Sequence, residues 1–145
     1  MELFIFIFAN FAIGSEQLNR ASTEYSYQVV YESFDDFRER DGFLPIKFDG
    51  QLSGFEVYGE NFNEFEYKSM FKFNNEPTYL IQLKVGGDPT EAALVFYTAV
   101  LLSDLYGAAV FDPQGGKWLS SEELHNDFTY MLDIRSKKIP SPLVD

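Results

Sequence analysis

Residues 86–107 read GGDPTEAALVFYTAVLLSDLYG, and this stretch decides the fold. Asp88 is placed to cap a helix, Pro89 suits its first position, and Glu91 completes a capping-box pattern. Gly107 supplies the glycine that ends it. Between Ala92 and Leu102 only Thr98 is polar. A helix apolar nearly all round must be covered on most sides. The spacing predicts a central core helix over 89–105, lying across a sheet.

The flanks supply the sheet. Upstream, YKSMFKF (67–73) and TYLIQLKV (78–85) read as a hairpin joined by Asn74-Asn75-Glu76-Pro77. In it Phe71 and Phe73 share one face, and Tyr79, Ile81, Leu83 and Val85 another. Lys72, Gln82 and Lys84 point the opposite way, so an antiparallel sheet with one wet face is expected. Earlier, GFLPIKF (42–48) and SGFEVYGE (53–60) flank an Asp49-Gly50 turn. Pro45 lacks an N–H, which predicts an edge or irregular strand. Downstream, Ala109–Phe111 and Lys117–Leu119 enclose an Asp112-Pro-Gln-Gly-Gly turn. Ser120 with Glu123 then forms a second capping box, opening a helix to about Lys137. Arg135, Lys137 and Lys138 gather at its C-terminus, where the helix dipole favours cations. Pro140 and Pro142 make 139–145 an extended tail.

The N-terminal third is less regular. In LFIFIFANFAI (3–13), Phe4, Phe6 and Phe8 alternate with Leu3, Ile5 and Ile7. The run is shorter than the roughly 20 residues of a membrane span. A secretory signal wants a positive start, but residue 2 is Glu2 and the first base is Arg20. A strand buried on both faces is the better reading, ended by Gly14-Ser15. Tyr27, Val30, Tyr31, Phe34 and Phe37 fall at helical spacing, while Tyr25, Tyr27, Val29 and Tyr31 alternate as a strand would. The longer stripe favours a helix over 22–34 with Ser22 as N-cap. The whole is read as one α+β domain over 1–145: two layers, an antiparallel sheet packed on the buried central helix with additional helices.

The chain has 145 residues, 23 acids against 11 bases, and a net charge of −12. Its 46% hydrophobic and 18% aromatic content excludes a disordered acidic tail, which lacks apolar surface to offset chain entropy. There is no cysteine, hence no disulfide framework, thiolate nucleophile or Cys-based zinc site. His125 is the single histidine. The negative balance makes nucleic acid a poor partner, because phosphate binding needs Lys and Arg.

Charge is uneven: residues 1–66 hold thirteen acids and four bases. The densest stretch carries Glu56, Glu60, Glu64 and Glu66 among Phe55, Tyr58, Phe62, Phe65 and Tyr67. A second group is Glu32, Asp35, Asp36, Glu39 and Asp41. Such runs are commonly solvated faces. The alternative is a docking surface, in which carboxylates steer a basic partner and aromatics supply desolvated anchors. On that reading Glu56, Tyr58, Glu60, Phe62, Glu64 and Glu66 bind the partner.

Catalytic patterns are weak. No spacing singles out a carboxylate pair for glycoside hydrolysis. Asp35-Asp36 and Glu64-x-Glu66 offer oxygen ligands without an EF-hand pattern. His125 has Glu122 one turn back, and reads as a surface histidine beside acids. The serines sit in no G-x-S-x-G elbow. Gly86-Gly87 precedes a helix, but Asp88 would repel an anion there. No catalytic residue, metal or cofactor is expected.

SGFEVYGE (53–60), the apolar helix leading into LYGAAVFDPQGGKWLS (105–120), and the capping box after it carry a resemblance. Together they resemble small, acidic, cysteine-free bacterial immunity proteins of polymorphic or contact-delivered toxin systems. The resemblance implies a non-enzymatic inhibitor that binds a cognate protein toxin or another basic protein, in the cytoplasm, without nucleic acid or membrane. It transfers no binding residue. The alternatives are an acidic mimic occupying a DNA-binding site and, third, a small carboxylate-dependent hydrolase.

Overall fold

The computed structural model describes residues 1–138. In chain order it has β1 (Glu2–Ile7), α1 (Ser15–Ser22), β2 (Val29–Tyr31), β3 (Asp41–Phe48), β4 (Gln51–Asn61), β5 (Tyr79–Lys84), α2 (Pro89–Tyr106), β6 (Ala109–Asp112), β7 (Lys117–Leu119) and α3 (Ser121–Lys138). The seven strands form one sheet in the order β2-β3-β4-β5-β1-β6-β7, and every neighbouring pair is antiparallel. This is the α+β architecture expected, a multi-stranded antiparallel sheet packed against helices.

The central helix spans Pro89–Tyr106, and every residue from Ala92 to Leu102 is buried. It contacts β1, β4 and β6 of the sheet as well as α1 and α3. Leu3, Ile5 and Ile7 of β1, Leu44 and Ile46 of β3, and Ile81 and Leu83 of β5 face it. Leu124 and Phe128 of α3 close the other side. Asp88 accepts from the Glu91 N–H at 3.3 Å, while the return bond of a full capping box is absent. Gly107 ends the helix at φ 64, in the left-handed region that glycine enters without a Cβ penalty. At α3 the box is complete: Ser120 N donates to Glu123 Oε1 and Glu123 N to Ser120 Oγ, both at 3.1 Å.

Three expectations change. The first strand stops at Ile7 instead of running to Ile13, although it is buried on both faces as read. Gly14 starts a helix: its N–H donates to Gln17 Oε1 at 2.9 Å, and α1 follows. The segment 22–34 is therefore no helix. Ser22 is the last residue of α1, and its Oγ lies 2.6 Å from the Tyr97 hydroxyl. The period-two pattern was the true one, with Val29 and Tyr31 inward and Val30 outward. The helical spacing was a coincidence of three segments. Tyr27 packs on Phe128, Tyr31 lies in β2, and Phe34 packs at a tilt against Phe37 in the next loop.

YKSMFKF is the third correction. It holds a single 3-10 turn, Lys68–Met70, and no strand. The reason is competition, since β5 pairs with β4 on one side and β1 on the other. No edge remains for a hairpin partner. Pro45 fits its expectation: β3 is second in the sheet, but β2 pairs only with Ile46–Phe48, so Asp41–Pro45 are left as a local edge on that side. The Pro45 carbonyl accepts from Glu32 N at 3.0 Å, its nitrogen returns nothing, and β2 pairing stops at Tyr31. The expected tail 139–145 lies outside the described residues.

Candidate functional site

Alternation along the strands sends a second set of side chains to the face opposite the helices. On β1 these are Phe4 and Phe6, on β5 Leu80 and Gln82, on β6 Ala109 and Phe111, and on β7 Trp118. A sheet face bearing so many rings needs a cover, and the loop of residues 62–73 provides it. Phe62, Phe65 and Leu80 are buried with Phe6 in a second core, separate from the one under α2. The ring of Phe71 lies 5.0 Å from Phe6 and 5.0 Å from Phe111, and Phe73 lies 5.2 Å from Phe6. Trp118 closes the row, 5.1 Å from Phe111. Offset and edge-on pairs of this kind each add about 0.5–1.5 kcal/mol beyond simple burial.

The cover is incomplete. Between the loop and β7 a cavity of about 690 Å³ remains, walled by Phe4, Phe71, Phe111 and Trp118, with Tyr67, Met70 and Lys72 at its mouth. Toward β2 and β3 the same face is bare. Val30, Phe43 and Leu52 are 55%, 51% and 72% exposed there.

The acidic residues divide between these regions. Glu56 and Tyr58 stand on the uncovered face of β4, where the Tyr58 hydroxyl donates to Glu56 at 2.7 Å. Lys84 sits 5.5 Å from the Tyr58 ring centre and pairs with Glu2 at 3.4 Å. Glu60 is half-buried at the end of β4. Burial first, and then the carboxylates of Glu64 and Glu66, push its pKa up. Glu64 and Glu66 are themselves exposed. Phe62 is withdrawn from this set: at 3% exposure it packs on Phe6, Phe65 and Phe73 and holds the loop down. It presents no ring to a partner in this conformation.

In the second acidic group, Asp36 caps a 3-10 turn and pairs with Arg38 at 2.8 Å. Burial alone would raise its pKa, but the side-chain and backbone hydrogen bonds from Arg38 hold it below the usual value. Its charge is thus committed within the fold.

His125 takes a partner the sequence did not suggest. Its Nε2 lies 3.0 Å from Asp104 Oδ2 on α2, whereas Glu122 was the neighbour expected. Ser121 Oγ donates to the other Asp104 oxygen at 2.9 Å. Serine and histidine therefore share a carboxylate and do not form a relay with each other. The 112–116 turn is held by Asp112 Oδ1, which accepts from Gln114 N at 2.9 Å and Gly115 N at 3.1 Å. Among the described residues, no group of three or more His, Asp or Glu side chains is arranged to hold a metal. No helix among them is long and apolar enough to cross a membrane.

The aromatic cavity was missed in the sequence. Its signal was present in the Phe4-Phe6-Phe8 alternation, which required a second apolar layer behind the sheet. Set against known proteins, the chain matches no family model, and neither a curated protein nor a solved structure shows significant similarity to it.

Proposed function

We propose that the chain is a non-enzymatic binding protein that inhibits a basic protein partner, an immunity-type role in the cytoplasm. The observation that supports it is the uncovered sheet face over β2–β4. There Val30, Phe43 and Leu52 stand exposed beside Glu56 and Tyr58, with Glu60, Glu64 and Glu66 at its far end. Exposed apolar groups with carboxylates along one side have the anatomy of an interface core and part of its rim, although Lys47 stands between Val30 and Leu52 on the same face. The net charge of −12 is complementary to a basic surface and favours fast encounter with one. This role requires no catalytic group.

The test is co-expression with the protein encoded beside it. Protection of the host from that protein, and a co-purifying complex, are expected. Phe43→Asp with Leu52→Asp should abolish the complex and the protection while lowering the melting temperature only modestly, because Leu52 is mostly in solvent and Phe43 half so. Intact binding by this variant would remove the β2–β4 face as the docking surface.

A further inference from the structure

We propose that the cavity between β7 and the 65–73 loop binds a small amphiphilic carboxylate, its apolar tail among Phe4, Phe71, Phe111 and Trp118 and its carboxylate on Lys72. The inference goes beyond the protein-docking role and stands on different residues. A volume of about 690 Å³ falls within the roughly 300–1,000 Å³ usual for small-molecule sites, which are apolar with a few placed polar groups. The floor is packed: Phe6 is fully buried beneath Phe71 and Trp118.

Charge selects the ligand. The chain carries 23 acids, yet no carboxylate lines this cavity, and Lys72 is its one charged lining residue. Lys84, Lys117 and Arg38 each have a carboxylate partner. Lys72 has no ion pair or side-chain hydrogen bond among the described residues. An unpaired ammonium at the mouth of an apolar hole complements one anionic head on an apolar tail. It repels the Lys or Arg side chain of a basic partner, which separates this site from the acidic surface.

Trp118 is the only tryptophan, so its emission reads the cavity directly. The full chain is titrated with decanoate, decanol and decyltrimethylammonium, each below its micelle concentration. Decanoate should give a saturable change and bind more tightly than decanol, with the cation weakest. Lys72→Gln, at an exposed position, should leave the melting temperature and decanol binding unchanged. It should weaken decanoate about tenfold or more, the usual worth of a hydrogen bond to a charged group. The proposal is overturned by no saturable response, by equal binding of decanoate and decanol, or by indifference to Lys72→Gln. A preference for the cation overturns it too, and would give the cavity to a partner's basic side chain.

Discussion

Thr98 is the one polar residue in the buried run Ala92–Leu102 of the central helix, Tyr97 aside, and its bonds can be assigned a direction. Its hydroxyl donates to the Leu94 carbonyl at 2.8 Å, so it must accept from Tyr31, whose hydroxyl lies 2.6 Å away. Burial pushes the Tyr31 pKa far up, and the phenol stays protonated as a donor. Tyr31→Phe removes the donor and leaves Thr98 satisfied, at a cost of about 1 kcal/mol. Thr98→Val strands the Tyr31 hydroxyl in the core and should cost more, about 1–3 kcal/mol. Urea denaturation of both variants should return that order. Glu60 makes the opposite case. Its raised pKa means that its ionised form opposes folding, a penalty present at neutral pH and relieved as pH falls through the folded pKa. Glu60→Gln should therefore stabilise slightly at pH 7, by less than about 1 kcal/mol at this half-exposed site. The gain should vanish in acid, which melts at the two pH values would show. Neither effect was legible in the sequence: Thr98 was visible as an exception in an apolar run, but its partner lies 67 positions away.

Elements were legible where local chemistry and tertiary packing agree. The helix α2 carries its own N-cap, its own terminating glycine and an apolar run, so nothing distant was needed to find it. Ala99 is fully buried at its centre. Ala99→Asp places an unpaired carboxylate there, at a cost of several kcal/mol, comparable with a whole domain's stability. Loss of soluble, cooperatively melting protein is expected. The segment 67–73 was illegible for the converse reason. Its alternation matches a strand, but β1, far off in sequence, takes the edge it would have used. Its phenylalanines then serve as cover. Phe71→Ala should cost about 1–3 kcal/mol, less than the roughly 3–5 kcal/mol of a fully buried ring because Phe71 is only partly buried. A loop residue that merely touched the surface would lose far less, so denaturant midpoints separate the two roles. The start of α3 adds a pH-dependent contact. The Lys117 ammonium and then the Ser120 N–H and hydroxyl hold Glu123 down to a pKa of about 2. A depressed carboxylate contributes above its unfolded pKa, near 4.3, and that contribution fades as pH falls toward about 2. Glu123→Gln should therefore lower the melting temperature at pH 7 and make little difference near pH 2.

At the scale of the whole molecule, two sheet faces divide the labour. One is closed by three helices; the other is half closed by a loop and otherwise open. Composition gave the excess of acids but not their placement, since strand order decides which carboxylates become neighbours and sets Lys47 and Lys84 on the same face. Glu60, Glu64 and Glu66 are close enough for the latter two to raise the pKa of the first. Glu56 instead lies on the side of Tyr58, Lys84 and Glu2, where a cation already offsets part of the charge. Steering should accordingly come from the first set. If a basic partner docks on this face, Glu60→Lys with Glu64→Lys should slow association about tenfold, because rim charges act chiefly on the encounter rate. Dissociation should change little. The wild-type rate should fall as salt rises, since the Debye length shrinks from about 30 Å at 0.01 M to about 8 Å at 0.15 M. The double variant should have lost most of that dependence. Stability should change little, because the substitution removes the repulsion among Glu60, Glu64 and Glu66 but leaves a charge at the half-buried site. Glu24→Lys is the internal control. Glu24 is exposed just beyond α1, outside the docking face, and its reversal should slow association less. Equal slowing by Glu24→Lys and the double variant would mean that net charge alone steers the partner and that the clustering of Glu60, Glu64 and Glu66 has no part in it.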